Sequence, residues 1–245
     1  MKDYNFPNLS EPYDSALKEA VRYISGRFEL LGIMVTGSII RRMAHKNSDF
    51  DIFVIHNNNF RQRIQKFFKG IPAEIFVNPP VQIEKYYKSA FESGKPDTQH
   101  MFATGFIIFD KENLIRDLQE KGKEYLRRNP EPSKIKLTQL RYQVADIYEN
   151  AVDMSEIDLP TSMMLLSQSV YFALQYRFWL ENMWLPRHKE LLSAIDKIDS
   201  KLGKLANDFF GDTDYHEKFL TAEKIMEITI KTFGFFEWES VEEKC

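Results

Sequence analysis

The sequence predicts an α+β fold, a small mixed sheet flanked by helices and followed by an all-α helical bundle. Three observations carry this. Strand-like and helix-like apolar patterns alternate up to about residue 130, and beyond it only helical periodicity remains. Two prolines in the polar run Arg128-Asn-Pro-Glu-Pro-Ser-Lys134 stop a helix and stiffen a linker. The 245 residues are 43% hydrophobic, enough to fill sizeable cores without a metal or disulfide staple. The domain boundaries are therefore drawn at 1–130 and 135–245.

A helix opens the first domain, with Asp14 as its expected N-cap and Leu17, Val21, Ile24 and Phe28 on one stripe. A strand follows at Leu31-Gly-Ile-Met-Val-Thr36 and ends in Gly37-Ser38, and a basic turn covers 39–46. Asp49 to Ile55 has strong β-propensity and is broken by three asparagines. Phe60, Ile64, Phe67 and Phe68 step at helical spacing, so 60–69 is expected to be helical with these residues inward. Ala73 to Val77 is a strand stopped by two prolines. Ile83, Tyr86, Tyr87, Ala90 and Phe91 mark a helix, Phe106 to Phe109 a short strand, and Leu114, Leu118 and Tyr125 a closing helix.

Four helices are expected in the second domain. The first carries Leu137, Leu140, Val144, Ile147 and Ala151 at steps of three and four. The second runs from Pro160 to about Asn182, is apolar nearly all round, and is expected to be central. Leu191 to Leu205 gives the third and 214–233 the fourth. Trp179, Trp184, Met163 and Met164 are expected in the core.

Charge separates the halves. Residues 1–134 hold 21 Lys and Arg against 17 Asp and Glu, and residues 135–245 hold 12 against 19. A basic first half suits an anionic ligand, and an acidic second half suits a cationic partner. The second half offers no basic channel, which argues against nucleic-acid polymerisation. The single cysteine, Cys245, allows no intramolecular disulfide and fits a reducing cytoplasm. Neither an export signal nor a membrane span is expected.

The chemistry concentrates in one stretch. Side chains alternate along a strand, so Asp49 and Asp51 share a face while Phe50, Ile52 and Val54 occupy the other and are expected to be buried there. Two neighbouring carboxylates repel unless a cation lies between them, and hard oxygen donors suit Mg²⁺. In the Ala73 to Val77 strand, Glu74 faces away from the apolar side and can reach the same place if the strands pair. Three carboxylates can hold two metals about 3.5–4 Å apart, the clamp for in-line phosphoryl displacement. Gly37 lets backbone amides approach a phosphate, and Ser38 can donate to one. Arg41, Arg42 and Lys46 add positive charge between this turn and the aspartates, and arginine is the better bidentate phosphate binder.

Gly37-Ser38, Arg41, Ser48-Asp49-Phe50-Asp51 and Glu74 together resemble the nucleotidyltransferase superfamily of the DNA polymerase β type. The whole layout is similar to the bacterial antibiotic nucleotidyltransferases, such as the kanamycin and streptomycin enzymes. The resemblance implies that Gly37, Ser38, Arg41 and Ser48 hold nucleotide phosphates. It makes Asp49, Asp51 and Glu74 the metal-binding and catalytic acids. It implies Mg²⁺, as two ions, with an NTP, ATP foremost, as co-substrate. The implied reaction moves an NMP to a hydroxyl of a small-molecule acceptor bound by the bundle, cationic and aminoglycoside-like, and releases pyrophosphate. Glu74 or the bundle residue Glu149 is the expected general base. The alternatives are modification of a protein in a toxin–antitoxin pair and a non-catalytic nucleotide-binding module.

Overall fold

The computed structural model describes residues 3–240 and 242, and Cys245 lies outside the described residues. The chain divides into two compact units. The first takes the chain up to Ala90 and again Pro96–Arg128, and the second takes Phe91–Lys95 and the chain from Asn129 onward.

In the first unit the order is α1 (Tyr13–Ser25), β1 (Leu30–Thr36), β2 (Phe50–His56), β3 (Gln62–Phe68), β4 (Ile71–Asn78), α2 (Pro80–Ser93), α3 (Asp97–Thr104), β5 (Phe106–Asp110) and α4 (Leu114–Leu126). The strands form one sheet in the order β3-β4-β2-β1-β5. β2 and β4 run parallel and the other pairs antiparallel, so the sheet is mixed. The α+β expectation holds.

Both faces of the sheet are covered. On one, Ile33, Val35, Phe50, Ile52, Val54, Ile75 and Val77 pack with Leu17, Val21 and Ile24 of α1. On the other, Met34, Phe53 and Ile55 pack with Ile83 and Tyr87 of α2, Phe102 of α3, and Ile115 and Leu118 of α4. The face that carries Asp51 is therefore apolar further along β2. A central strand covered on both sides reads as a continuous apolar run.

The segment 60–69 corrects the expected helix. It contains β3, which pairs with β4 from Phe68↔Ile71 to Gln62↔Val77 around a Lys69-Gly70 turn. Both turn residues have positive φ, 47° and 80°, the geometry that fits strand twist in a two-residue hairpin. Ile64 and Phe68 do face the apolar side, but Phe67 is 72% exposed. The Asp14 cap is also corrected. Pro12 occupies the N-cap position, and Asp14 sits in the first turn, where it accepts from Lys18 Nζ at 2.7 Å. Helix α3, which follows Pro96, was not anticipated.

The second unit holds α5 (Lys134–Asp153), α6 (Leu159–Leu180), α7 (Leu191–Ile198), α8 (Ser200–Gly211) and α9 (Tyr215–Thr229). Ser133 caps α5 by accepting from Lys136 N, and Asp158 caps α6 by accepting from Thr161 N. Helix α6 is buried around most of its circumference. Its Ser162 and Ser169 are satisfied by donating to Ala151 O and Val144 O. The expected third helix is two, because Asp199 leaves helical geometry and caps α8 through Leu202 N at 3.0 Å. Trp179 is buried, Trp184 half-buried, and Met164, expected in the core, is 61% exposed. Among the described residues no helix is long and apolar enough to cross a membrane.

Candidate metal and nucleotide site

Parallel pairing of β2 and β4 sets Asp51 opposite Glu74, and antiparallel pairing of β1 and β2 sets Thr36 opposite Asp51. The end of β1, with its Gly37-Ser38 turn, therefore flanks the acids on one side, and β4 flanks them on the other. Asp49 lies one residue before β2. One carboxylate oxygen from each of Asp49, Asp51 and Glu74 lies within 4.8 Å of the others. Burial first, and then the neighbouring Asp49, push the Asp51 carboxyl up to about 6, against the opposing pull of Arg41 and Arg63. A half-buried carboxyl that resists ionisation beside another acid is an arrangement a divalent cation relieves. The all-oxygen donor set fits Mg²⁺.

Gly37 has φ 104°, and a Cβ there would stand 3.0 Å from Asp51 Oδ2 and 3.3 Å from Asp49 O. Only glycine combines that backbone with so close an approach. The turn is tied by Met43 N to Ser38 O at 2.8 Å and Arg41 N to Gly37 O at 3.2 Å. Ser38 Oγ donates to Ser48 Oγ at 2.7 Å, and Ser48 Oγ also accepts from His45 N at 2.7 Å. Two distant stretches of the sequence are thus joined through their hydroxyls beside the acids.

Each site residue named from the sequence can now be placed. Asp49, Asp51 and Glu74 come together, Gly37 lies beside Asp51, and Ser38 and Ser48 bond each other. Arg41 is exposed and acts on Asp51 through its charge. Glu149 is exposed on α5 in the second unit.

Sequence reasoning missed Arg63 and Gln65. Glu74 accepts from Arg63 Nε and, at 3.5 Å, from Gln65 Nε2. Arg63 also lies over the Phe76 ring, 5.3 Å from its centroid. The signal is present in the alternation Arg61, Arg63, Gln65, which sets all three on one side of a strand.

The fold and the site define a nucleotide-handling domain, a mixed sheet with clustered carboxylates beside a Gly-Ser turn. Residues 16–128 match the family described as nucleotidyltransferase domain. A similar solved structure is that of a nucleotidyltransferase-like protein from Exiguobacterium sibiricum 255-15. It has a TM-score of 0.55 and 9% identity over 88% of this chain and 73% of that one, a likeness of fold. No curated protein matches the sequence.

Proposed function

We propose that the protein transfers an NMP from an NTP, ATP foremost, to a hydroxyl of a small-molecule acceptor, with release of pyrophosphate. One observation carries this reading, the convergence of Asp49, Asp51 and Glu74 within 4.8 Å beside the Gly37-Ser38 turn. The three acids would hold Mg²⁺, as one ion or two, which when bound supplies neutralisation of phosphate charge.

The chain's own residues do the rest. The Gly37-Ser38 turn, the Ser48 hydroxyl and the Arg41 guanidinium hold the β- and γ-phosphates, with the Ser38 hydroxyl acting through its bond to Ser48. Ser48 Oγ accepts two hydrogen bonds within the protein, so its own proton is left to donate to a phosphate oxygen. The acceptor oxygen bonds to the α-phosphorus as the bond from that phosphorus to the β-phosphate bridging oxygen breaks. Glu74 takes the hydroxyl proton, and pyrophosphate carries away the bonding pair. Glu149 is the rival base, and Glu149→Gln decides between the two: loss of turnover names Glu149, and retained turnover leaves the role to Glu74, which would also hold metal. The reaction is proposed for the cytoplasm, where NTP and Mg²⁺ are abundant, and acceptor recognition by residues 135–245 belongs to the second reading given below.

Transfer of label from α-labelled ATP, with pyrophosphate measured in the same samples, tests the proposal. Activity in the wild type that Asp51→Asn abolishes is expected. Full activity in Asp51→Asn would overturn the assignment. A cationic, aminoglycoside-like acceptor, with a role in antibiotic resistance, is a second reading, favoured by the acidic balance of residues 135–245.

A further inference from the structure

A groove of about 620 Å³ continues from Asp51 and Glu74 along the face of β4 and β3 and is closed by residues of α2 and α3. Its volume suits a small organic ligand. None of Gly37, Ser38, Arg41 or Ser48 lines it. The strand order explains this, because β1 and its Gly-Ser turn lie on one side of β2 and the groove lies over β4 and β3 on the other. In-line displacement at phosphorus needs the nucleophile and the leaving group on opposite sides of the reacting atom. With the nucleotide phosphates on the Gly37-Ser38 side, the groove is where the nucleophile must stand.

We propose that this groove is the acceptor subsite, and that it takes a small hydroxylated molecule bearing a phosphate or carboxylate, anchored by Arg61. The inference rests on the nucleotidyl-transfer reading and names the substrate class for it.

Arg61 and Arg63 sit two residues apart on the same side of the β3 segment, and both line the groove. Their charges are used differently. Arg63 is paired with Glu74 and seated on Phe76. Arg61 has no carboxylate partner among the described residues. Its Nη1 donates to Tyr86 Oη at 3.2 Å, and that hydroxyl donates to Asn78 Oδ1 at 3.3 Å. Asn78 is only 3% exposed, so the chain of bonds ends on a buried amide. A surface arginine without an ion pair ordinarily samples many rotamers. This one is tethered into the groove by a neutral hydroxyl, with its charge uncompensated and N–H donors left over. A guanidinium so placed matches the two oxygens of a phosphate or carboxylate. On the α3 wall, Asp97 and Thr98 suit hydroxyls. The ligand is thereby oriented with its anion at Arg61 and its hydroxyls toward α3 and the acids. A polycation would meet Arg61 as a like charge.

The test is calorimetric titration of ribose 5-phosphate, gluconate, ribose and kanamycin into the full chain, as wild type, Arg61→Ala and Arg61→Lys. MgATP is titrated into the same samples. Saturable binding of ribose 5-phosphate or gluconate is expected, with ribose much weaker. It should fall about tenfold or more in Arg61→Ala and be partly kept in Arg61→Lys, the scale of one lost charged hydrogen bond. Binding of one anion but not the other identifies phosphate or carboxylate as the anchor. The proposal is overturned if neither anion binds up to about 10 mM, if Arg61→Ala leaves the affinity unchanged, or if kanamycin binds and the anions do not. It is also overturned if Arg61→Ala weakens MgATP as much as the anion, which would put Arg61 on the nucleotide. Failure of wild type to bind MgATP would instead sink the transfer reading. MgATP binding with anion titrations insensitive to Arg61 would sink this proposal alone.

Discussion

Asp51 carries a measurable consequence of its surroundings. Burial and Asp49 raise its carboxyl from 3.8 to about 6, so the fold favours the protonated form. The stability this contributes is full below the unfolded value of 3.8 and is lost as pH rises through about 6. The shift corresponds to roughly 3 kcal/mol. Metal-free wild type should therefore weaken between about pH 4 and pH 7, while Asp51→Asn should not. In urea denaturation the two should agree near pH 4, and the variant should be the more stable near pH 7.5. At Gly37, φ 104° strains any side chain, and a methyl group there would crowd Asp51 Oδ2 at 3.0 Å. Gly37→Ala should lose about 1–3 kcal/mol of stability and most of its MgATP affinity, read by denaturation and calorimetry. Both positions are conspicuous in the bare sequence. Asp-x-Asp at a strand start states a shared face, and glycine at a strand end states a special backbone. The raised pKa is not legible there, because it depends on how deeply the fold buries Asp51 and on the charges it brings near.

Among the elements, β3 departs furthest from its sequence pattern. Phe60, Ile64, Phe67 and Phe68 satisfy a helical period, yet Ile64 and Phe68 satisfy a period of two equally well. The Lys69-Gly70 hairpin turn decides between them. The helical reading hides Arg63, because a helix would not set it beside Glu74. The ion pair there holds the third carboxylate in place without metal and places a positive charge at the site. Arg63→Ala should tighten divalent metal binding several-fold, as followed by Mn²⁺ titration with electron paramagnetic resonance. Unchanged or weaker binding would mean that Arg63 orients Glu74 more than it competes with the cation. The break at Asp199 escapes the sequence pattern for a related reason, since the apolar period runs through it and only the cap geometry marks the division.

For the whole molecule, the drop to helical periodicity after Arg128-Asn-Pro-Glu-Pro is visible in the sequence. The membership of Phe91–Lys95 in the second unit is not, because it depends on contacts with residues far along the chain. Phe91 packs at a tilt against Trp184 with ring centroids 4.8 Å apart, Leu185 N donates to Gly94 O at 2.8 Å, and a Cβ on Gly94 would fall 2.5 Å from Trp179 Cζ2. Gly94 also has φ 71°. Gly94→Ala should therefore destabilise the helical unit by about 2 kcal/mol or more. The readout is intrinsic fluorescence during denaturation, since Trp179, Trp184 and Trp238 all lie beyond residue 129. Everything proposed for the molecule requires that the clustered acids and the Gly-Ser turn bind a nucleoside triphosphate with a divalent metal. Calorimetric titration of each NTP, with and without Mg²⁺, into wild type and the Asp49→Asn/Asp51→Asn variant measures this without an acceptor. Metal-dependent binding of at least one NTP by the wild type, lost in the folded variant, is predicted. Equal binding by both proteins, or none by folded wild type in Mg²⁺, would contradict a nucleotide site at these acids.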